Sequence, residues 1–77
     1  MHQDELYYFK KNVAFLRKAN GLSQKEMAQK MMIGVETLRK LEQGITPAKL
    51  NVCAVIMVIS QFHVSAEELL KTQMENA

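Results

Sequence analysis

The stretch Leu22 to Gly44, LSQKEMAQKMMIGVETLRKLEQG, decides the fold, because it holds two helix starts, two helix stops and the turn between them. Ser23 and Glu26 stand at the spacing of a capping box. The Ser hydroxyl can accept from the Glu26 backbone N–H while the Glu carboxylate reaches back to the N–H of Ser23. Leu22 and Met27 flank the box where a hydrophobic staple would sit. Met27, Ala28 and Met31 then supply the inward face of a short second helix. Gly34 starts a third, with Ile33 and Leu38 as its staple and Gly44 as its stop. In that helix Leu38 and Leu41 point inward, and Ile45 is expected to continue the buried stripe. The intervening residues Met31 to Gly34 must turn the chain sharply, so the segment predicts a helix-turn-helix.

Outward from this centre the same punctuation recurs. Asp4 is expected to cap a first helix whose apolar stripe runs Leu6, Phe9, Val13, Leu16 and which Asn20-Gly21 ends. Thr46-Pro47 reads as an N-cap followed by proline at the first helical position, opening a fourth helix to about Gln61. Ser65 and Glu68 form a second capping box, with Val64 and Leu69 as its staple, for a fifth helix ending near Thr72. Val52 to Ile59 is rich in β-branched residues and would be a strand by propensity. A lone strand has no partner for its backbone, however, so a helix is expected there too. The fold class is therefore all-α: a compact five-helix bundle in one domain spanning residues 1–77, with its core between about 5 and 72.

Composition bounds the function. The 77 residues are 48% hydrophobic and 23% charged, ordinary values for a globular chain and against disorder. Net charge is +2 and the pI about 8.8, short of the pI of roughly 9 that flags a nucleic-acid binder by itself. The first residues lack the basic and apolar regions of a signal peptide. The longest apolar run, Leu50 to Ile59 interrupted by Asn51, is about half of the roughly 20 residues a membrane span needs. A single cysteine, Cys53, in an apolar run reads as a buried, inert thiol in a reducing cytoplasm. With only two distant histidines beside it there is no metal-ligand cluster. Neither a nucleophile–base pair nor a phosphate-cradling glycine loop occurs, so no enzyme, cofactor or small-molecule ligand is expected.

The pattern Leu-Ser-Gln-x-Glu-φ-Ala-x-Lys-φ (φ apolar), a turn, then Thr-φ-x-x-φ-Glu-x-Gly is met by Leu22–Met31 and Thr37–Gly44. Val64-Ser65-Ala66-Glu67-Glu68-Leu69-Leu70 follows at the right separation. In these pieces the chain resembles the helix-turn-helix domains of the phage-repressor (Cro/C1) and xenobiotic-response-element (XRE) family, over about Asn12 to Leu70. The resemblance implies a lambda-repressor-like fold and a transcriptional regulator, in the main a repressor. It also implies that Gln24 contacts a DNA phosphate at a helix start, and that Arg17 and Glu42 form a structural salt bridge between the first and third helices.

The reading helix follows from geometry. At 100° per residue, Glu36 and Lys40 point away from the core, with Thr37, Arg39 and Gln43 on their flanks and Val35 at an exposed N-terminal corner. In the major groove Arg39 or Lys40 can donate to guanine, Glu36 can accept from cytosine, and Val35 can touch a thymine methyl. Lys25, Gln43 and Lys49 join Gln24 as candidate phosphate contacts, with Lys10, Lys11, Lys18 and Lys30 as further basic candidates. The chain departs from the family at five points. Met32 stands where glycine is usual, so either Met takes a positive φ or the turn differs. Val35 replaces a hydrogen-bonding residue, Glu36 brings a negative charge toward DNA, and the 44–47 connection lacks basic residues. His63 replaces a second glycine and reads as a turn residue.

The fourth helix is apolar on all sides from Val52 to Ile59. A side left uncovered would mark an interface. A homodimer through this helix or the last one is expected, placing two reading helices about 34 Å apart on a palindromic double-stranded operator. The alternative function is a protein-interaction module that keeps the fold but binds DNA with little specificity.

Overall fold

The computed structural model describes residues 3–47 and 52–74. Five helices follow one another: α1 (Gln3–Ala19), α2 (Gln24–Met31), α3 (Val35–Glu42), α4 (Val52–Phe62) and α5 (Ala66–Lys71). The described residues contain no strand. The β-branched run of α4 is thus helical, tertiary packing having overridden propensity.

Three helix endings share one backbone device. After α1, the N–H of Leu22 donates to Arg17 O at 3.0 Å and that of Gly21 to Lys18 O at 3.1 Å. After α2, Ile33 donates to Ala28 O and Met32 to Gln29 O; after α3, Ile45 donates to Lys40 O and Gly44 to Leu41 O. This paired pattern is the Schellman motif, which satisfies the last carbonyls of a helix and needs a left-handed residue at its bend. Gly21 (φ 66°) and Gly44 (φ 87°) supply it as the sequence predicts; at the α2–α3 turn Met32 does so at φ 58°. Both serine caps are complete boxes. Glu26 N donates to Ser23 Oγ at 3.1 Å and Ser23 N to Glu26 Oε1 at 2.9 Å; Ser65 and Glu68 repeat the arrangement.

The core forms where the inward stripes meet. Phe9, Val13 and Leu16 of α1 pack with Met27, Ala28 and Met31 of α2, Leu38 and Leu41 of α3, Ala54, Val55 and Val58 of α4, and Leu69 of α5. One polar residue is wholly buried among them, Asn12. Its amide donates to Leu69 O and Thr72 O, both at 2.7 Å, and its Oδ1 accepts from Met74 N at 2.8 Å. One side chain thereby closes the end of α5 onto α1, and no buried side-chain polar atom among the described residues lacks a partner.

Four expectations need correction. Asp4 lies inside the first turn of α1 rather than capping it, where its charge still opposes the positive helix end. Ile45 is 51% exposed, because the left-handed bend at Gly44 turns the chain off the α3 axis before the stripe can continue. Val35 is half-buried and packs against the core instead of standing free at a corner. Cys53 is exposed: α4 buries only the stripe of Ala54, Val55 and Val58, and Cys53 faces away from it. The expected start of α4 at Thr46-Pro47 runs into residues 48–51, which lie outside the described residues, as does Lys49.

Candidate nucleic-acid interface

α2 and α3 present one continuous outer surface. α3 buries Leu38 and Leu41 and leaves Glu36, Arg39, Lys40 and Gln43 exposed, with Thr37 half-buried at the edge. Lys25, in the first turn of α2, is exposed; Gln24 beside it is half-buried. An α-helix with this division of faces, carried at the end of a tight turn, can enter the major groove while the start of its predecessor meets the backbone.

A chain of hydrogen bonds links the interior to this surface. Arg17 Nε donates to Glu42 Oε2 at 2.6 Å and Nη2 to Oε1 at 3.0 Å, a two-pronged pair whose side chains are 16% and 10% exposed. Arg17 Nη1 also donates to Leu22 O at 3.0 Å, so one guanidinium ties α1, α3 and the chain leading into α2 together. Gln24 continues the chain. Its Nε2 donates to Glu42 Oε1 at 3.3 Å, and its Oε1 accepts from Arg39 Nε at 3.4 Å. Arg39 in turn pairs with Glu36 one turn back on the exposed face. The phosphate candidate Gln24 and the base-reading candidate Arg39 are therefore neighbours, and the Glu36 carboxylate sits beside the guanidinium.

The remaining basic candidates are distributed unevenly. Lys10 reaches across from α1 and donates to Gly44 O at 2.9 Å. Lys11 lies 5.6 Å from the centre of the Tyr7 ring. Lys10, Lys11 and Lys18 share one wide depression of about 780 Å³ with Gln43, Gly44 and Thr46. The Glu26 carboxyl is held below the usual carboxylate range, first by the Ser23 backbone N–H, then by its hydroxyl, with Lys30 adding attraction.

Sequence reasoning did not anticipate the bridging role of Gln24, the reach of Lys10 to the loop, or Asn12. A signal for Asn12 was present: it lies on the same helical face as Phe9, Val13 and Leu16, where a polar residue must find internal partners.

Two short helices joined by a tight turn, the second with a buried apolar stripe and an exposed polar face, have the architecture of a helix-turn-helix. The helix-turn-helix family model, of Cro/C1 and XRE type, matches residues 13–57, more than half of the chain, and the protein belongs to that family. No curated protein and no solved structure matches it. The family is one of DNA-binding regulators, not usually of enzymes. Among the described residues no helix is long and apolar enough to cross a membrane.

Proposed function

We propose that this protein is a sequence-specific repressor that binds a palindromic operator as a homodimer in the cytoplasm, with α3 in the major groove. The observation that supports the reading is the bonded series Arg17–Glu42–Gln24–Arg39, which brings Arg39 on the exposed face of α3 beside the start of α2. Arg39 and Lys40 donate to guanine, Glu36 accepts from cytosine N4, and Thr37 contacts the groove edge. Val35, half-buried at the start of α3, offers a methyl surface to thymine only at close approach. Gln24, Lys25, Gln43 and Lys49 hold phosphates, with the helix N-terminus of α2 assisting. Arg17 and Glu42 act structurally.

A second reading has its own observation. The Glu36–Arg39 pair neutralises charge on the surface that would face DNA, which suits a module that binds protein instead. Such an exposed pair is worth at most about 1 kcal/mol, so a guanine can displace it, and the DNA reading is preferred.

The test is selection from a randomised duplex pool, followed by titration of the winner. A palindromic consensus, with Arg39→Glu losing at least about tenfold in affinity through charge reversal at one base contact in each half-site, is the expected result. No enriched sequence, with Arg39→Glu indistinguishable from the unmodified chain, would sink the DNA reading in favour of the protein-binding one.

A further inference from the structure

The chain from Gly44 to Pro47 carries no basic side chain, yet it follows the end of α3, the helix proposed above to enter the major groove. Every helix carries a partial negative charge at its C-terminus. The end of α3 also holds the Glu42 carboxylate, already engaged by Arg17. An approaching phosphate would meet that negative end with no cation from residues 44–47 to offset it. The structure provides a cation from elsewhere: the Lys10 ammonium lies 2.9 Å from the carbonyl oxygen of Gly44, delivered by a different helix.

We infer that Lys10 of α1 is a DNA-phosphate contact, standing in for the basic residues the 44–47 connection lacks. The inference rests on the DNA reading above. An ammonium has three donors. One is used on Gly44 O, which leaves two for a phosphate oxygen. That bond also orders a long side chain before DNA arrives, so less freedom is lost on binding. The location is cationic beyond Lys10 itself, because Lys11 and Lys18 line the same depression as Gly44 and Thr46. Lys18 lies two helical turns along α1 from Lys10, about 12 Å, so the row follows the backbone instead of converging on one point. Lys11 is held toward the Tyr7 ring, which leaves Lys10 as the principal contact.

A phosphate contact has a signature that a structural lysine lacks. Each neutralised phosphate releases counterions, and the slope of log K against log salt changes by about 0.9 per contact. The experiment measures binding of the full chain to its selected operator and to a random duplex across a salt series. The variants are Lys10→Gln, Lys10→Arg and, as a remote control, Lys71→Gln on α5, beside Asp4, Glu5 and Tyr8. Thermal melting accompanies each. Lys10→Gln is expected to weaken both duplexes by a similar factor of about 3 to 10 per bound chain at low salt and to flatten the slope by about 0.9 per bound chain, about 1.8 for a dimer on its palindrome. Lys10→Arg should keep the slope, and Lys71→Gln should change neither quantity. Operator binding by the unmodified chain with an unchanged slope in Lys10→Gln would overturn the Lys10 contact and leave the DNA reading standing, even if the melting temperature fell. Absence of DNA binding by the unmodified chain would overturn both.

Discussion

At Met32 a side chain with a Cβ occupies a left-handed backbone position, φ 58°, where glycine is at ease. The conformation costs roughly 1–2 kcal/mol. The side chain is 75% exposed and returns little packing. Met32→Gly is therefore expected to stabilise the protein by about 0.5–1 kcal/mol, the relieved strain being partly offset by the freer unfolded chain. Urea denaturation checks this; a lower midpoint in the glycine variant would mean that Met32 packs more than its exposure indicates. Glu26 gives a residue-scale prediction in pH. Its folded pKa lies below its ordinary value of 4.5, chiefly because the Ser23 backbone N–H binds the charged form. A depressed folded pKa contributes stability that is present above the unfolded value and lost as pH falls through the folded one. The stability advantage over Glu26→Gln, which keeps a cap but does not titrate, should thus be constant near neutrality and shrink below about pH 4.5. A gap that stays constant to the acid transition would show that the carboxylate contributes nothing as a charge.

The elements were legible from the sequence wherever local chemistry dictates them. Ser23/Glu26 and Ser65/Glu68 placed two helix starts, and Gly21 and Gly44 placed two stops, because a cap or a left-handed bend is decided by the few residues that make it. What was not legible depends on partners distant in sequence. Ile45 fits the α3 stripe by spacing, but the bend at Gly44 takes it away; the apolar run of α4 does not say which three residues the bundle covers. Among site residues, the exposed row of α3 followed from periodicity alone, whereas the bond from Gln24 to Arg39 and the reach of Lys10 to Gly44 required the tertiary arrangement. Asn12 is the sharpest case, since its partners lie 56 to 62 residues away. It is the polar link between α1 and α5, and removing it orphans the carbonyls of Leu69 and Thr72 and the N–H of Met74. Asn12→Ala should cost about 3 kcal/mol, a cavity combined with unsatisfied backbone groups. Hydrogen exchange should locate the loss first in α5, which this side chain closes. A uniform loss of protection with α5 unaffected relative to the rest would contradict that assignment.

For the whole molecule, a single helix in the major groove, the role proposed for α3, is a small instrument. A single module of this kind contacts DNA over roughly 600–1,000 Å², and linking two such modules multiplies affinity by about 100-fold or more without any new contact to DNA. The bundle leaves a surface suited to that linkage. Val52 and Ile56, one turn apart on α4, are 65% and 55% exposed, and Cys53 is exposed between them, so the same helix that fills the core shows an apolar strip to solvent. If two copies meet there, Ile56→Lys places like charges on both sides of a two-fold axis. Because Ile56 is already exposed in the single chain, the substitution should leave the helical content and melting temperature of the monomer almost unchanged. Sedimentation should then shift from dimer to monomer, and affinity for the full palindrome should fall by about 100-fold toward that for an isolated half-site. Half-site affinity itself should be unaltered, which separates a lost interface from a damaged reading surface. A dimer that survives Ile56→Lys would exclude the α4 strip and leave α5 as the contact. An unmodified chain that remains monomeric on a palindrome would mean that a single α3 carries the recognition, and the salt-dependent phosphate contacts would then have to supply most of the affinity.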